Sequence, residues 1–407
     1  MSDMLRAMAE IPQLGSIAPS PSRAEPMDVP VRPRNPGTPL DLEWLEEVRI
    51  NRSAVERRAA TLRSRRTVKK EWQAAWLLRA VTLMDLTTLS SDDTPGRVRR
   101  LCAKARQPVR GDLLEAMGAE QLPIRVAAVC VYHAFVKTAV AALEGSGIPV
   151  AAVSTGFPAG LSPFEQRIAE IHASVAAGAE EIDIVITRAH VLTGSWRALY
   201  DEVRAMREAC GDAHIKTILG TGELGTLRNV AWASRVCLMA GADFIKTSTG
   251  KESVNATLPV GLVMARAIRE YRERTGHMVG LKPAGGIRTS RDALDWLMLI
   301  KEELGDRWLR PDLFRFGASA LLTDVERLQH REEPAVLLHV ASERVEMPRP
   351  RVPADLPPPG LRRPRRVDSA IYVGFGRLRQ SGERFAGRGI QRLERLTAGL
   401  GPRAVDE

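Results

Sequence analysis

Cysteine and histidine are both sparse in this 407-residue chain, which has four of the first and seven of the second. The cysteines, Cys102, Cys130, Cys210 and Cys237, form no CxxC pair and share no short-range spacing. That excludes a disulfide framework and reads as reduced thiols in a cytosolic protein. The histidines are scattered without ligand spacing; His133, His172 and His277 fall in helix-like or loop stretches and read as surface or packing residues. No segment approaches the ~18–20 uninterrupted apolar residues of a membrane span. Acids and prolines occupy the N-terminus, with no apolar stretch of the kind a secretory signal needs. What is present, 44% hydrophobic and 27% charged residues, is a soluble globular composition with enough apolar side chains for a sizeable core.

The net charge of +10 raises the question of nucleic-acid binding, and its distribution answers it. Residues 1–67 hold 11 Lys/Arg and 9 Asp/Glu, and residues 331–407 hold 15, all arginine, and 10. The segment 68–330 keeps 33 basic and 30 acidic residues and is nearly neutral. It lacks the electrostatic footprint of a phosphate-backbone binder, so no nucleic-acid partner is expected. Binding through the Arg/Pro-rich tails is the rival from another function class; it would survive deletion of 68–330 and weaken steeply with salt.

Proline enrichment marks residues 1–40 as a disordered leader. From 41 to 80, apolar and charged residues alternate at helical spacing, which predicts two helices. Eight short apolar runs follow: VTLMDL (81–86), VAAVCV (126–131), VAAVST (150–155), EIDIVI (181–186), HIKTIL (214–219), ADFIKT (242–247), MVGLKP (278–283) and LFRFGA (313–318). Helix-length stretches separate them, among them SPFEQRIAEIHASVAAG, LRNVAWASRVCLMAG and TSRDALDWLMLIKEELG. Eight strand–helix units over about 250 residues predict a (β/α)8 TIM barrel, with an open doubly wound sheet as the alternative. Beyond 331, MPRPRVPADLPPPGLRRPRR stops the pattern and begins an Arg/Pro-rich extension, in which RGIQRLERLTAGLG has the spacing of a short amphipathic helix.

In a parallel barrel alternate strand residues point inward, and chemistry gathers at the C-terminal strand ends. By that parity Asp183, Lys216, Lys246 and Lys282 converge from four successive strands, joined by Asp85 from the first and Cys130 from the second. A single interior lysine is often structural; three with an aspartate point to chemistry. Burial and mutual repulsion both lower a lysine pKa. An ordinary lysine, with pKa ~10.4, is neutral about once in a few thousand molecules at pH 7; a pKa of roughly 7 would raise the free amine about 10³-fold, worth about 4–5 kcal/mol. That is what a Schiff-base nucleophile requires. The glycine-bearing loops TSTGK, PAGGIR and FGAS follow strands six, seven and eight, where backbone N–H groups can approach an anion. Together these features predict a phosphorylated carbonyl substrate.

The stretches DLTTLSSDDT, EIDIVI, IKTILGTGEL, FIKTSTGKESVNAT, LKPAGGIR and FRFGAS resemble the deoxyribose-phosphate aldolases, class I aldolases, over residues 41–330. RRTVKKEWQAAWLL is similar to the longer members of that family. The resemblance implies a cytoplasmic lyase that reversibly cleaves 2-deoxy-D-ribose 5-phosphate to D-glyceraldehyde 3-phosphate and acetaldehyde, in deoxyribonucleotide catabolism. It implies no metal and no cofactor, no membrane partner, and a possible homodimer. By motif, Lys246 corresponds to the Schiff-base nucleophile, Lys282 to the neighbour that depresses its pKa, and Asp183 to the proton donor and acceptor, acting through a water. Lys216 and Asp85 correspond to supporting groups, with Lys216 and Lys282 both surrounding Lys246, and Cys130 to a pocket-lining position. Gly250, Lys251, Gly285, Gly286, Arg288, Gly317 and Ser319 fall where the family holds phosphate. Two departures stand out: Ala320 replaces a hydroxyl residue common in relatives, and Tyr372 is the sole distant counterpart of a C-terminal tyrosine found in some members. On physics alone, a metal-dependent aldolase and another Schiff-base barrel enzyme of the transaldolase type remain alternatives.

Overall fold

The computed structural model describes residues 34–65, 68 and 70–331. The leader up to residue 33 and the extension from 332 onward, with RGIQRLERLTAGLG and Tyr372, lie outside the described residues.

Among the described residues three helices, not two, precede the first strand: α1 (Leu42–Glu46), α2 (Arg52–Arg65) and α3 (Lys70–Thr82). The extra break has a local cause. Asp41 caps α1 by accepting from the Trp44 N–H (3.0 Å), and Asn51 restarts the chain by accepting from the Ala54 N–H (3.0 Å). The strand expected from Val81 starts later, because Val81 and Thr82 complete the last turn of α3.

Eight parallel strands follow: β1 (Met84–Thr87), β2 (Ala128–Tyr132), β3 (Val150–Ser154), β4 (Glu181–Val185), β5 (His214–Ile218), β6 (Phe244–Lys246), β7 (Gly280–Lys282) and β8 (Phe316–Ala318). Each from β1 to β6 pairs with the next in sequence, and β1 also pairs with β8. The remaining seam, β7 to β8, is bridged at Leu281–Phe314 and Ala284–Gly317, with the Gly317 N–H donating to the Pro283 carbonyl at 2.9 Å. This closure removes the open-sheet alternative.

Apart from the short Gly111–Ala116 helix, which buries no residue, the helices between strands bury side chains against the barrel. The best-defined N-terminus is that of α12 (Ser290–Leu304), where Thr289 and Asp292 form a reciprocal capping box. In chain order the others are α4 (Pro95–Arg106), α5 (Gly111–Ala116), α6 (Val136–Leu143), α7 (Phe164–Ala176), α8 (Arg188–Leu192), α9 (Trp196–Ala209), α10 (Leu227–Met239), α11 (Leu258–Thr275) and α13 (Leu321–Arg331).

Close packing inside the barrel selects one glycine. A Cβ on Gly280 would sit 2.2 Å from the Phe244 ring, so the large interior side chain of β6 requires an empty position on β7.

The end of the expected leader is part of this body. Asn35 is buried; its side-chain amide donates to the Leu238 and Ala242 carbonyls (2.8 and 2.9 Å), and its side-chain oxygen accepts from the Tyr271 hydroxyl (2.9 Å). The Thr38 N–H donates to the Met239 carbonyl at 2.8 Å. Proline content obscured this seat, since the contacts are all with residues some 200 positions away. Replacing Asn35 with Ala removes hydrogen bonds from two carbonyls and from the tyrosine hydroxyl. It should cost about 2–3 kcal/mol in urea unfolding; a loss under ~0.5 kcal/mol would mean the segment is not seated.

Candidate active site

Parity and register bring the interior charges together. Asp183 on β4 is in register with Lys216 on β5, and Lys246 on β6 with Lys282 on β7. All four side chains are buried and point into the barrel. Asp183 is their hub: its Oδ2 accepts from Lys246 Nζ and Lys282 Nζ, both at 2.7 Å, and its Oδ1 from Lys216 Nζ at 2.9 Å. Asp85, from β1, pairs with Lys282 and lies 3.8 Å from Lys216 Nζ.

Two further members escaped the sequence reading. Glu181 opens β4 and pairs with Lys216 Nζ at 2.7 Å. Arg315, just before β8, is 1% exposed, hydrogen-bonds Asp85, and meets Glu181 at 2.8 Å. Both sit where strand-edge charges normally reach solvent. The available signal was parity, because Glu181 shares a face with Asp183, and Arg315 with Gly317.

The three lysines are electrostatically unequal. Burial lowers the pKa of each, but Lys282 faces Asp183 and Asp85, which more than offset burial and hold it above the ordinary lysine range. For Lys216, burial is likewise outweighed, by Asp183 and Glu181. Lys246 has Asp183 alone as a carboxylate partner among the described residues, and its pKa is lowered, first by burial and then by repulsion from Lys282. Lys216 was expected beside Lys282 as a second depressing neighbour; instead it is engaged with Asp183 and Glu181. Burial pushes the Asp183 carboxyl upward, yet the three lysines hold it well below the ordinary carboxylate range.

The opposite wall is apolar. Cys130, Ala151 and Val153 form a small buried cluster with Leu89, Tyr132 and Phe157 packed against it. The Phe157 ring centroid lies 6.0 Å from Lys246 Nζ, and Tyr132 meets that ring edge-on at 5.8 Å. Burial raises the Cys130 thiol pKa, so it stays a neutral lining group. All four cysteines are free and buried.

The glycine loops stand on the rim of the same face. Gly250, Gly285 and Gly286 have φ of +83°, +77° and +83°, the left-handed region that turns backbone N–H groups outward at little cost. Ser248 Oγ donates to the Ala284 carbonyl at 2.7 Å and ties the β6 and β7 loops together. Gly317 stands next to Ala284 and the Lys282 side chain. Lys251, Arg288 and Ser319 are exposed, and no hydrogen bond or ion pair among the described residues joins them to the interior lysines. No group of three His, Cys, Asp or Glu side chains among the described residues has a metal-holding arrangement. No described helix is long and apolar enough to cross a membrane.

The family profile described as DeoC/LacD family aldolase matches residues 79–324. The chain is 60% identical to human deoxyribose-phosphate aldolase over 295 residues, covering 72% of this chain and 93% of that protein. It is 62% identical to the mouse enzyme of the same name over 293 residues, covering 72% and 92%. A solved structure from Toxoplasma gondii ME49, 24% identical, superposes with a TM-score of 0.55 over 64% of this chain and 98% of that one, and speaks to the fold alone. With its closed barrel, its lysine-centred interior and these matches, the chain belongs to the DeoC/LacD aldolase family.

Proposed function

We propose that the chain is a deoxyribose-phosphate aldolase working through a Schiff base on Lys246. The observation that carries this is the asymmetry among the three lysines: one buried amine of lowered pKa shares a carboxylate with two that stay protonated.

Neutral Lys246 Nζ attacks the C1 aldehyde of open-chain 2-deoxyribose 5-phosphate, and the resulting carbinolamine loses water to give an iminium. The iminium draws electrons from the C2–C3 bond. As that bond breaks, the C3 hydroxyl gives its proton, through a water, to Asp183, and C3 becomes the aldehyde carbon of glyceraldehyde 3-phosphate. The two carbons left on Lys246 are an enamine, which takes a proton back at C2; water then releases acetaldehyde and frees the amine. Lys282 stays charged throughout and depresses the Lys246 pKa, while Lys216 and Asp85 hold Asp183 and Lys282 in place. The apolar wall of Cys130, Val153 and Phe157 suits the two-carbon fragment. The loops bearing Gly250, Lys251, Gly285, Gly286, Arg288, Gly317 and Ser319 take the phosphate, largely through backbone N–H groups, without the hydroxyl that Ala320 lacks. On this reading the catalytic domain begins at the seated Asn35 rather than at 41, runs to 330 ahead of an Arg/Pro-rich extension, and acts in the cytosol in deoxyribonucleotide catabolism, where free thiols stay reduced.

Borohydride reduction in the presence of acetaldehyde or deoxyribose phosphate should leave one covalent adduct, on Lys246. Folded, substrate-exposed protein without an adduct would sink the mechanism, and an adduct on Lys282 would exchange the two roles. Because the neutral amine is the nucleophile, the trapping rate should climb as pH rises through the Lys246 pKa, with its midpoint below the ~10.4 of an ordinary lysine. Asp183→Asn should lower kcat by about 10²–10⁴, as expected for loss of a general acid–base; a loss under tenfold would remove Asp183 from proton transfer.

A further inference from the structure

The charged interior extends below the groups that the proposed mechanism uses. Four cationic side chains, Lys216, Lys246, Lys282 and Arg315, face three carboxylates, Asp85, Glu181 and Asp183. All seven are buried. A buried unpaired charge is expensive, so the interior is held close to neutrality. With the three acids ionised, neutrality requires three cations, and one of the four must give up its proton.

Arg315 is the member least able to do so, because a guanidinium does not deprotonate in proteins. Both of its terminal nitrogens reach Glu181, at 2.8 and 3.3 Å, and one also bonds Asp85. The Phe244 ring covers the guanidinium at 5.7 Å, and its Nε donates to the Pro311 carbonyl. The choice therefore falls among the lysines. Lys216 meets Asp183 and Glu181 with Asp85 at 3.8 Å, Lys282 meets Asp183 and Asp85, and Lys246 meets Asp183 alone.

Resting on the aldolase reading above, we infer that Arg315 is a positioning residue that acts by charge. As a permanent cation on Asp85 and Glu181, it leaves the interior one proton short and makes Lys246 the amine that lacks it. Two other titratable groups stand near this cluster. Cys130 on β2 is a neutral thiol, and β3 contributes only Ala151 and Val153 to the inner wall. His214, half-buried at the start of β5, stands in register with Glu181 at the far end of the barrel. The role differs from that of Lys282, since Arg315 sits on the carboxylates and touches neither Lys246 nor Asp183 among the described contacts.

The test is the pH dependence of borohydride trapping by acetaldehyde, with the adduct located by mass spectrometry, in the full-length protein and four variants. Arg315→Met removes a cation and lets Lys246 keep its proton, so the midpoint should move alkaline by ~1 unit or more, with trapping about tenfold slower below it. Glu181→Gln removes an anion and should move the midpoint the opposite way. The double variant Arg315→Met/Glu181→Met removes one of each and should return the midpoint toward its original position. Arg315→Lys keeps the charge and should leave it unmoved. A purely structural role would not produce opposite shifts or a charge-balanced rescue. Should Arg315→Met fail to fold, Glu181→Gln and the double variant still decide. Normal adduct formation on Lys246 with shifts that are absent, or in the same direction in both single variants, would overturn the role of Arg315 alone. Absence of an adduct in the unmodified protein would overturn the aldolase reading itself.

Discussion

Asp183 holds three lysine side chains at once, and the interior depends on that contact. Each of its partners arrives from a different strand, so the hub also fixes the register of β4 through β7 around the barrel axis. Charges buried this deeply persist only when paired, and breaking such a pair costs about 3–5 kcal/mol. The pH dependence follows from the directions of the shifts. Asp183 has its pKa depressed on folding, so its contribution is present above the ordinary carboxylate range and lost as pH falls through the depressed value. Lys282 has its pKa raised, so its contribution is present below the ordinary lysine range and lost as pH rises through the raised value. Both contributions are in place across neutrality, and the lysine between them, Lys246, is the one whose pKa is lowered.

The rim of the barrel is organised around another cation, a partly buried one. Arg188, at the start of α8, donates to the Ala159 and Pro158 carbonyls in the β3 loop at 2.8 and 3.2 Å. It also pairs with Glu223 after β5 at 2.6 Å, and lies 4.0 Å from Glu252 after β6. Phe157, the roof over Lys246, is therefore held in a loop fastened at both ends. Beside it Thr155 keeps a φ of +63°, with its hydroxyl accepting from the Val185 N–H (2.6 Å) and donating to the Val185 carbonyl (3.1 Å). That conformation is costly for a β-branched residue, and two hydrogen bonds to the backbone of one residue keep it in place.

The eight strands and the inward lysines were legible because two rules act locally. Apolar runs of five or six residues mark barrel strands, and period-two parity says which side chains share a face. The same parity was available for Glu181 and Arg315, but a charged residue at a strand edge ordinarily points to water, and only closure of the barrel buries these two. The relative pKa values of the lysines could not be read at all. They depend on how many carboxylates each amine meets, and the principal partners of Lys216 and Lys282 include Glu181 and Asp85, whose positions follow from register rather than from spacing. Asn35 shows the same limit at the chain's edge: its partners are carbonyls on the far side of the sequence. Lys251, Arg288 and Ser319 mark the opposite case, since their motifs are plain in the sequence while the structure leaves their side chains exposed.

The proposed chemistry turns on one of three neighbouring amines releasing its proton before the others. Titration of the protein labelled with 15N at lysine Nζ, followed by NMR with each interior resonance assigned through a Lys→Met variant, measures this without any substrate. Lys246 should titrate first, below an ordinary lysine, while Lys216 and Lys282 remain protonated beyond the ordinary range. Joint titration of all three, or loss of the Lys282 or Lys216 proton ahead of that of Lys246, would contradict it.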